Sequence, residues 1–505
     1  TYVVFGSERI FSTGGEPRPP EPPTLAVYSS AEGPGETPIR RSAGVYNEVE
    51  LLPAGDFDGD GREDVLIGQP SVSVQALDAK AARRGGRAAS VAGEGAIALL
   101  LSTRQSTSPE FSLDRLPDGA VRIRRSQDPE LPIAVAYAAG GDYNGDGRSD
   151  LAFLAASLDQ VAIVFGGGTG GAFGDSWPAF LDPFREADDI LQPCGTVLRL
   201  ANLGDVDGDG FDDLGVLCLA ASSTQPPQLS IQFGSPNGFS GFSSIQGVQA
   251  IGSSPSIGRV RNDGSGADSF VLAQPGGGAT IVFGGPHMRS NPATLNGNTL
   301  RLGGAHLSEA AAVRVVGLGF FDNLPGEDIG IAHSPPSRDG SPVGHVEILS
   351  GRASFPALLD LRNPPAGVIQ GRVVLRGNGV QSITGLDSLS DRNDDDQREL
   401  LISLGEAEGH APGSGKILVL HGFPLPGVGA ATAVREIDDV VPIGAGLTIR
   451  NATFGSDALV QARSIRDYEG DSRDAIGFGA QADDLRGLTA RKGRLLILRG
   501  SALPP

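Results

Sequence analysis

Three short acidic segments contain the residues of this chain best suited to chemistry. Each carries carboxylate or amide side chains at positions 1, 3, 5 and 9 and a glycine at position 6. Oxygen atoms at alternate positions of a turn wrap a hard cation, and the glycine permits the sharp bend. The donor set is all oxygen and rich in carboxylate, which favours Ca²⁺ over Mg²⁺. The pattern therefore predicts structural calcium sites.

The candidate ligands include the main-chain carbonyl of each seventh residue. They are Asp56, Asp58, Asp60, Arg62 and Asp64 in loop 1, Asp142, Asn144, Asp146, Arg148 and Asp150 in loop 2, and Asp205, Asp207, Asp209, Phe211 and Asp213 in loop 3. Without a cation, the carboxylates of one loop would repel one another. A merely solvated acidic turn is therefore the weaker interpretation.

Four further segments follow the same frame with less fidelity. Loop 6 keeps side-chain oxygens at most ligand positions but has an aspartate where the bend needs glycine, so it is predicted as a weaker calcium site with ligands Asp391, Asn393, Asp395, Gln397 and Glu399. Loops 4 and 5 begin with Arg261 and Phe320 and are expected to bind no metal. Loop 7, near residue 466, is one residue short and is not expected to bind either.

Calcium loops of the EF-hand begin in the same way and have to be weighed. An EF-hand needs helical flanks and a bidentate glutamate at position 12. Position 12 is Ile67, Phe153 and Val216 in loops 1 to 3, each inside a β-like run. The EF-hand interpretation is therefore excluded.

The seven loops recur at intervals of roughly 70 residues, which is typical of a repeat architecture. Apolar, β-like runs precede and follow each loop. An aliphatic strand usually ending in glycine comes later, as in residues 161–166 and 229–234, and a short fourth strand often follows. Four strands in each of seven units predict an all-β, seven-bladed β-propeller. A row of separate small β domains would bury too little surface.

These loops, together with strands that end in Phe-Gly, resemble the FG-GAP repeats of the integrin α-subunit propeller and its bacterial relatives. The likeness is specific in loops 1–3 and weaker elsewhere, and it spans the chain. It implies calcium loops between the first two strands of each blade. It also implies a binding face on the opposite side, formed by the strand 2–3 loops and the connections between blades.

The predicted organisation is a single propeller domain, 1–505. Residues 1–44 form an N-terminal closing segment that contains a proline-rich spacer, 16–23. Residues 1–6 are surplus to the blades and either extend the last blade or are the remnant of a longer precursor. The predicted blades are 45–125, 131–193, 195–253, 256–303, 311–377, 379–450 and 455–505.

The formal net charge of −20 argues against nucleic acid and anionic lipid as partners, since both would repel the chain. No run of 18 apolar residues predicts a membrane span. The chain begins with Thr1 and its single methionine is Met288, so an exported and processed protein, extracellular or at the cell surface, is expected; a cloned fragment would begin in the same way. Cys194 and Cys218 form either one disulfide or two buried thiols.

No linear motif pairs a nucleophile with a base, and the six histidines lack metal-ligand spacing. His345 and His421 lie in or beside aliphatic strands, where a structural role is expected. The largest insertion on the opposite face is basic, with Lys80, Arg83, Arg84 and Arg87, and is either a docking loop for an acidic partner or glycan or a solvated loop.

Two functions follow. The favoured one is a secreted or cell-surface, calcium-stabilised binding or scaffold module for a protein or glycan partner, such as an adhesion-like protein or a subunit of an extracellular assembly. The alternative is a propeller enzyme, a hydrolase or lyase acting on polysaccharide or phosphoester, with its site in the central channel.

Overall fold

The computed structural model of the chain describes most of the predicted strands and loops. The described residues are 2–5, 24–28, 50–69, 96–101, 110–112, 120–123, 134–155, 159–167, 180–219, 227–248, 250–274, 278–290, 293, 295–303, 313–322, 324–333, 343–376, 383–392, 397–404, 416–421, 432–437, 446–451, 457–468, 470–482 and 493–498. The proline-rich spacer, the basic insertion, Asn393 and Asp395 lie outside them.

Short apolar runs form the strands, and each run is bounded by glycine or by an acidic loop. Two strands precede the first loop, β1 (Tyr2–Phe5) and β2 (Thr24–Tyr28). The first stretch after them contains β3 (Glu50–Gly55), β4 (Asp64–Gln69), β5 (Ala96–Leu100), β6 (Glu110–Ser112) and β7 (Ala120–Ile123). The second contains β8 (Ala134–Gly141), β9 (Asp150–Ala155), β10 (Val161–Val164), β11 (Phe180–Leu181) and β12 (Asp189–Leu191).

The middle of the chain repeats this pattern and adds one short helix. The strands are β13 (Val197–Gly204), β14 (Asp213–Cys218), β15 (Gln228–Ser235) and β16 (Gly238–Gln246), then β17 (Ala250–Gly258), β18 (Ser269–Ala273), β19 (Ala279–Val282) and β20 (Thr299–Gly303). A 3-10 helix, Pro286–Arg289, lies between the last two.

The remaining strands complete three more sheets. They are β21 (Arg314–Gly319), β22 (Asp328–His333), β23 (Val343–Leu349), β24 (Leu358–Asp360) and β25 (Gly371–Arg376), then β26 (Ile383–Leu389), β27 (Glu399–Leu404), β28 (Lys416–Leu420), β29 (Ala433–Ile437) and β30 (Gly446–Asn451), and finally β31 (Asp457–Ile465), β32 (Ala475–Ala482) and β33 (Gly493–Leu498).

These strands build seven sheets, each with four antiparallel strands, and confirm the all-β, seven-bladed propeller. The acidic loop of each blade connects its first and second strands, as between β3 and β4 or β13 and β14. Among the described residues, no helix has the length and apolar character needed to cross a bilayer.

Five of the sheets gain a fifth, parallel strand, and four of these five strands were not predicted from the sequence. In four of these the extra strand comes from the segment between the third and fourth strands of the next blade, so that β11 pairs with β7 and β24 with β20. Each such strand satisfies main-chain groups along the outer edge of its neighbour, which an isolated blade would leave unpaired.

The N-terminal strands take part in two different sheets. Strand β2 pairs antiparallel with β33 and is the fourth strand of the sheet that contains β31 and β32. Strand β1 pairs in parallel with β30, in the preceding blade. Of the two alternatives left open for residues 1–6, extension of the last blade does not fit this pairing, since Tyr2–Phe5 lies on the sixth blade. Whether the pairing of β2 keeps the ring closed in solution stays a prediction.

The core lies between blades, because the second strand of a blade is covered on both faces. Every residue of β9, β14, β22 and β27 is buried. One hydrophobic cluster joins Leu154 of the second blade to Val216 of the third. Another joins Ile348 of the fifth blade to Leu400 of the sixth. This packing places the acidic loops side by side along one face of the ring.

Candidate metal centre

In loops 1 to 3, the aspartate at position 1 organises the turn by accepting main-chain hydrogen bonds. Asp56 Oδ1 accepts from the amides of Gly59 and Asp60 at 2.7 and 2.9 Å, and its Oδ2 accepts from Gly61 at 2.8 Å. Asp142 and Asp205 make the same three bonds in loops 2 and 3, at 2.7 to 3.1 Å. The three predicted loops therefore share one conformation.

The residue at the fifth position also makes the same hydrogen bond in loops 1 to 3. Asp60, Asp146 and Asp209 each accept a hydrogen bond through Oδ1 from the amide of the seventh residue, Arg62, Arg148 or Phe211, at 2.8 to 3.1 Å. The predicted carbonyl ligands thus lie at the same point of each turn.

The carboxylates converge in two loops. Asp56, Asp58 and Asp64 each offer an oxygen within 4.8 Å of the others, and so do Asp205, Asp207 and Asp213. In loop 2 the third position is Asn144, whose amide lies 3.2 Å from Asp146 Oδ2. These clusters, which are partly or fully buried, are arranged so that they could hold a metal ion.

The ninth position ties the loop to the rest of its blade. Asp64, Asp150 and Asp213 are completely buried. Asp150 accepts from the amides of Tyr143 and Gly166 at 2.7 and 2.8 Å, and Asp213 accepts from those of Val206 and Gly234 at 2.9 and 3.0 Å. The glycine that ends the third strand is thereby joined to the acidic loop.

The same bonds occur in loop 5, which lacks the ligand pattern. Asp328 accepts from Phe321, Asp322 and Gly351 at 2.8, 2.9 and 3.0 Å. The ninth carboxylate is therefore part of the fold in its own right, independent of any cation.

Neighbouring loops are joined by main-chain hydrogen bonds. The carbonyl of Asp56 accepts from Ser149 at 2.9 Å, and that of Asp142 accepts from Asp212 at 3.0 Å. Asp212 also accepts from the amide of Asp142 at 3.1 Å through its own side chain. Asp268 makes the equivalent side-chain bond to Asp205, and Glu327 accepts from the amide of Arg259, two residues before loop 4 begins. This acid at position 8 was not singled out from the sequence, although aligning the loops shows it four times.

Side chains at position 7 pack against a glycine of the preceding loop. A Cβ on Gly145 would lie 2.4 Å from the ring of Phe211, and one on Gly59 would lie 2.6 Å from Arg148 Nε. Both glycines also have positive φ, 74° and 80°. Only glycine fits both requirements, so the fourth position is set by contact between blades.

The negative charge of the buried loop carboxylates has to be offset by a bound cation or by protonation. Burial, with a contribution from neighbouring loop carboxylates, raises the pKa of Asp150 to about 8 and that of Asp213 to about 9, despite two main-chain hydrogen bonds to each. Burial and the adjacent Asp209 raise the pKa of Asp207 to about 6. A bound divalent cation would remove this cost, because opposite charge favours the ionised carboxylate.

The donor set fits a hard divalent cation. It consists of carboxylate and amide oxygens on a turn, which is the chemistry that Ca²⁺ takes. In loop 3, Asp207 Oδ2 is buried, accepts no hydrogen bond, and faces the Arg289 guanidinium with Nε at 2.6 Å. This carboxylate oxygen therefore already faces a positive group, as an oxygen ligand of a cation would.

Arg289, from the 3-10 helix, was missed by sequence reasoning. It contacts both Asp207 and Asp209, and its guanidinium lies over the ring of Phe233, 5.0 Å from the centroid. It is separated by 80 residues from Asp209, and no spacing rule connects the two.

Loop 6 is described only in part, since Asn393 and Asp395 lie outside the described residues. Its Glu399 is buried and accepts from the amide of Arg392 at 3.1 Å, as a ninth-position acid does elsewhere. His421 Nδ1 lies 3.3 Å from the same carboxylate. The predicted ligands Asp391 and Gln397 flank the undescribed part of the loop.

Loop 4 places an arginine where loops 1 to 3 have their first aspartate. Arg261 Nε lies 3.8 Å from Asp263 Oδ2, and the guanidinium lies over the ring of Phe283, 4.8 Å from the centroid. A positive side chain thus occupies the acidic turn.

The two cysteines are close enough to bond. Their Sγ atoms are 2.10 Å apart, and their Cα atoms 6.2 Å apart. The bridge connects the segment before β13 to the end of β14, within the third blade. Its oxidation state in solution stays a prediction.

No family model matches the chain, and no curated protein matches it. Among solved structures, the chain is similar to one titled an exotype rhamnogalacturonan lyase, YesX, with a TM-score of 0.40 and 12% identity over 95% of this chain and 76% of that one. What the fold and the loops define is a seven-bladed β-propeller with acidic clusters that could hold metal ions.

Proposed function

We propose that this protein is a calcium-stabilised β-propeller that acts as a secreted or cell-surface binding module. The observation that carries the proposal is the shared geometry of loops 1 to 3, in which the same hydrogen bonds from turn amides hold the first aspartate, with converging carboxylates in loops 1 and 3. The ligands are those of the three acidic loops, with loop 6 as a fourth, weaker site.

Calcium at these positions has a structural role. Each loop joins two strands of its blade and is hydrogen-bonded to the next loop, so an ion would stabilise the blade and its contact with the neighbour. A ligand that binds only the folded chain stabilises it by about 2.7 kcal/mol at 100 times its Kd. Three or four such ions would make the folded ring strongly dependent on calcium.

The test is thermal unfolding with excess Ca²⁺ and with chelator, together with metal content by mass spectrometry. Three or four Ca²⁺ per chain and a large fall in Tm on chelation are expected. A chain that holds no metal and unfolds at the same temperature in both conditions would remove the basis for the calcium proposal.

The binding role is assigned to the face opposite the acidic loops. The basic insertion that contains Lys80, Arg83, Arg84 and Arg87 lies outside the described residues, and the sequence predicts that it offers positive charge between the second and third strands of the first blade. An acidic protein surface or a sulfated or carboxylated glycan has the complementary charge.

That role is tested on glycan and extracellular-protein arrays with the calcium-loaded chain. Replacement of the four basic residues by alanine is expected to weaken binding to acidic probes, with a steep salt dependence in the parent protein. Replacement of four exposed arginines elsewhere on the ring, Arg185, Arg259, Arg301 and Arg362, is the matched control. Equal binding by both variants would exclude the basic insertion as the docking element.

Export is tested through the cysteines. Freshly purified protein should show no free thiol when it is unfolded, and two thiols only after it is also reduced. Two titratable thiols in freshly purified protein would argue against an extracellular location.

A further inference from the structure

A second cluster of ligating side chains lies in the fifth blade, away from the acidic loops. His333 ends β22, and it is directly opposite His345 on β23. Glu347 is two residues further along β23, so its side chain is on the same face of the sheet. The pairing of two strands thus brings together residues that no linear metal motif connects.

We propose that His333, His345 and Glu347 bind a transition-metal ion of the zinc class. One ligand atom from each lies within 4.8 Å of the other two. His333 Nε2 and His345 Nδ1 are 3.5 and 3.8 Å from Glu347 Oε1. Two imidazoles and a carboxylate are three protein ligands of the kind found in zinc sites with one open position.

The distances fit ligands better than hydrogen-bonded partners. A good N–H···O bond is about 2.7–3.2 Å long. Ligands at about 2.0–2.1 Å from a tetrahedral zinc ion are separated by about 3.3 Å from one another. The two imidazole–carboxylate distances are already close to that value, so only small rotamer adjustments are needed.

The burial of the three side chains and the hydrogen bonds from a neighbouring arginine favour a well-ordered metal site. Glu347 is fully buried and His333 is 6% exposed, whereas the His345 side chain is 24% exposed, so the cluster is reached by solvent on one side. Arg372, opposite Glu347 on β25, donates through Nε to both carboxylate oxygens at 2.9 Å. Such an outer partner fixes the orientation of a ligating carboxylate.

The site differs from the acidic loops in chemistry and in place. Imidazole nitrogens suit zinc, whereas calcium prefers oxygen alone. Asp328, the ninth residue of loop 5, begins the strand that His333 ends, so at about 3.3 Å per residue the two sites are about 17 Å apart. The proposed ion therefore lies toward the face opposite the acidic loops and does not depend on the calcium proposal.

The experiment uses the full chain in excess Ca²⁺, which keeps the acidic loops filled, and titrates Co²⁺ as a spectroscopic probe. One Co²⁺ per chain with the visible absorption of a four- or five-coordinate ion is expected, displaced by Zn²⁺. Replacement His345→Ala should weaken binding at least about 100-fold, since it removes a direct ligand. His287→Ala, which removes an imidazole from the neighbouring blade, should leave it unchanged.

Two further measurements guard against misfolding. The Tm of His345→Ala without transition metal should remain within a few degrees of the parent, because that side chain is partly exposed. X-ray absorption at the cobalt edge should count two imidazoles in the parent protein. Absence of Co²⁺ binding in excess calcium, or equal affinity in His345→Ala, would overturn the proposal.

Discussion

Arg289 Nε lies 2.6 Å from Asp207 Oδ2, so a side chain of the fourth blade supplies positive charge to the acidic loop of the third. The same guanidinium contacts Asp209 and the ring of Phe233. A cation that enters loop 3 must therefore compete with an internal one, which makes the loops unequal despite their shared hydrogen bonds.

Replacement of Arg289 by alanine should raise the calcium affinity of loop 3 by about fivefold, or about 1 kcal/mol, because the competing charge is gone. The metal-free Tm should fall, since the carboxylates then lose their counter-charge. Calorimetric titration measures the first effect and thermal unfolding the second. Arg259→Ala, whose side chain is 61% exposed and lies 3.7 Å from Asp268, is the control. An unchanged affinity for loop 3 would show that Arg289 does not compete.

Asp58→Ala should remove one bound calcium ion and reduce the rise in Tm caused by Ca²⁺. The methyl group provides no oxygen ligand, whereas an asparagine would keep one, as Asn144 does at the same position of loop 2. The matched control is Asp263→Ala, which alters the same position of loop 4, where no ion is expected. Native mass spectrometry counts the ions. Equal stoichiometry in the two variants would contradict the ligand assignment.

Asp328→Asn should destabilise the protein by about 2–3 kcal/mol with or without calcium, because a buried acceptor of three main-chain hydrogen bonds is replaced by a group that is half donor. Chemical denaturation measures the change. Asp360→Asn, at an exposed pair with Arg362, should change stability by less than about 0.5 kcal/mol. A loss that disappears in excess calcium would instead assign Asp328 to metal binding.

Glu347 should make stability depend on acid pH. Burial alone would raise its pKa, but the adjacent His333 and His345 imidazoles and the hydrogen bonds from Arg372 lower it from 4.5 to about 2. A lowered folded pKa stabilises the fold fully above about pH 4.5, and the contribution is lost as pH falls toward 2. It is on the order of 3 kcal/mol. Glu347→Gln should therefore be less stable than the parent at pH 7, and the difference should shrink below pH 4.5 in urea unfolding without added metal. A difference that stays constant with pH would contradict this.

Deletion of residues 1–30 should lower Tm and promote self-association. It removes β2 from the last blade and β1 from the sixth, and leaves the edge of β33 unpaired. Light scattering and thermal unfolding report the two effects. Deletion of residues 1–6 alone should lower Tm by less, because it exposes only the outer edge of β30. A truncated chain as stable and monomeric as the parent would show that β2 is not needed for closure.

The local chemistry of the acidic loops was readable from the chain. Alternating oxygens and a glycine at a fixed place determine a turn through contacts within nine residues, and the Asp56, Asp142 and Asp205 hydrogen bonds are of that kind. The seven units and their four strands followed as well, since the repeat shows them many times over. The parallel fifth strands were not foreseen, because β11 and β24 are two and three residues long and carry no periodic signal.

What the sequence by itself determined is the repeated unit, because its turns and strands depend on neighbours along the chain. The tertiary structure decided which distant residues meet, namely Arg289 with Asp207, Glu327 with Arg259 and His333 with His345. These pairs depend on strand register and on the packing of one blade against the next. Such contacts leave no fixed spacing in the sequence, and only the folded ring brings the side chains together.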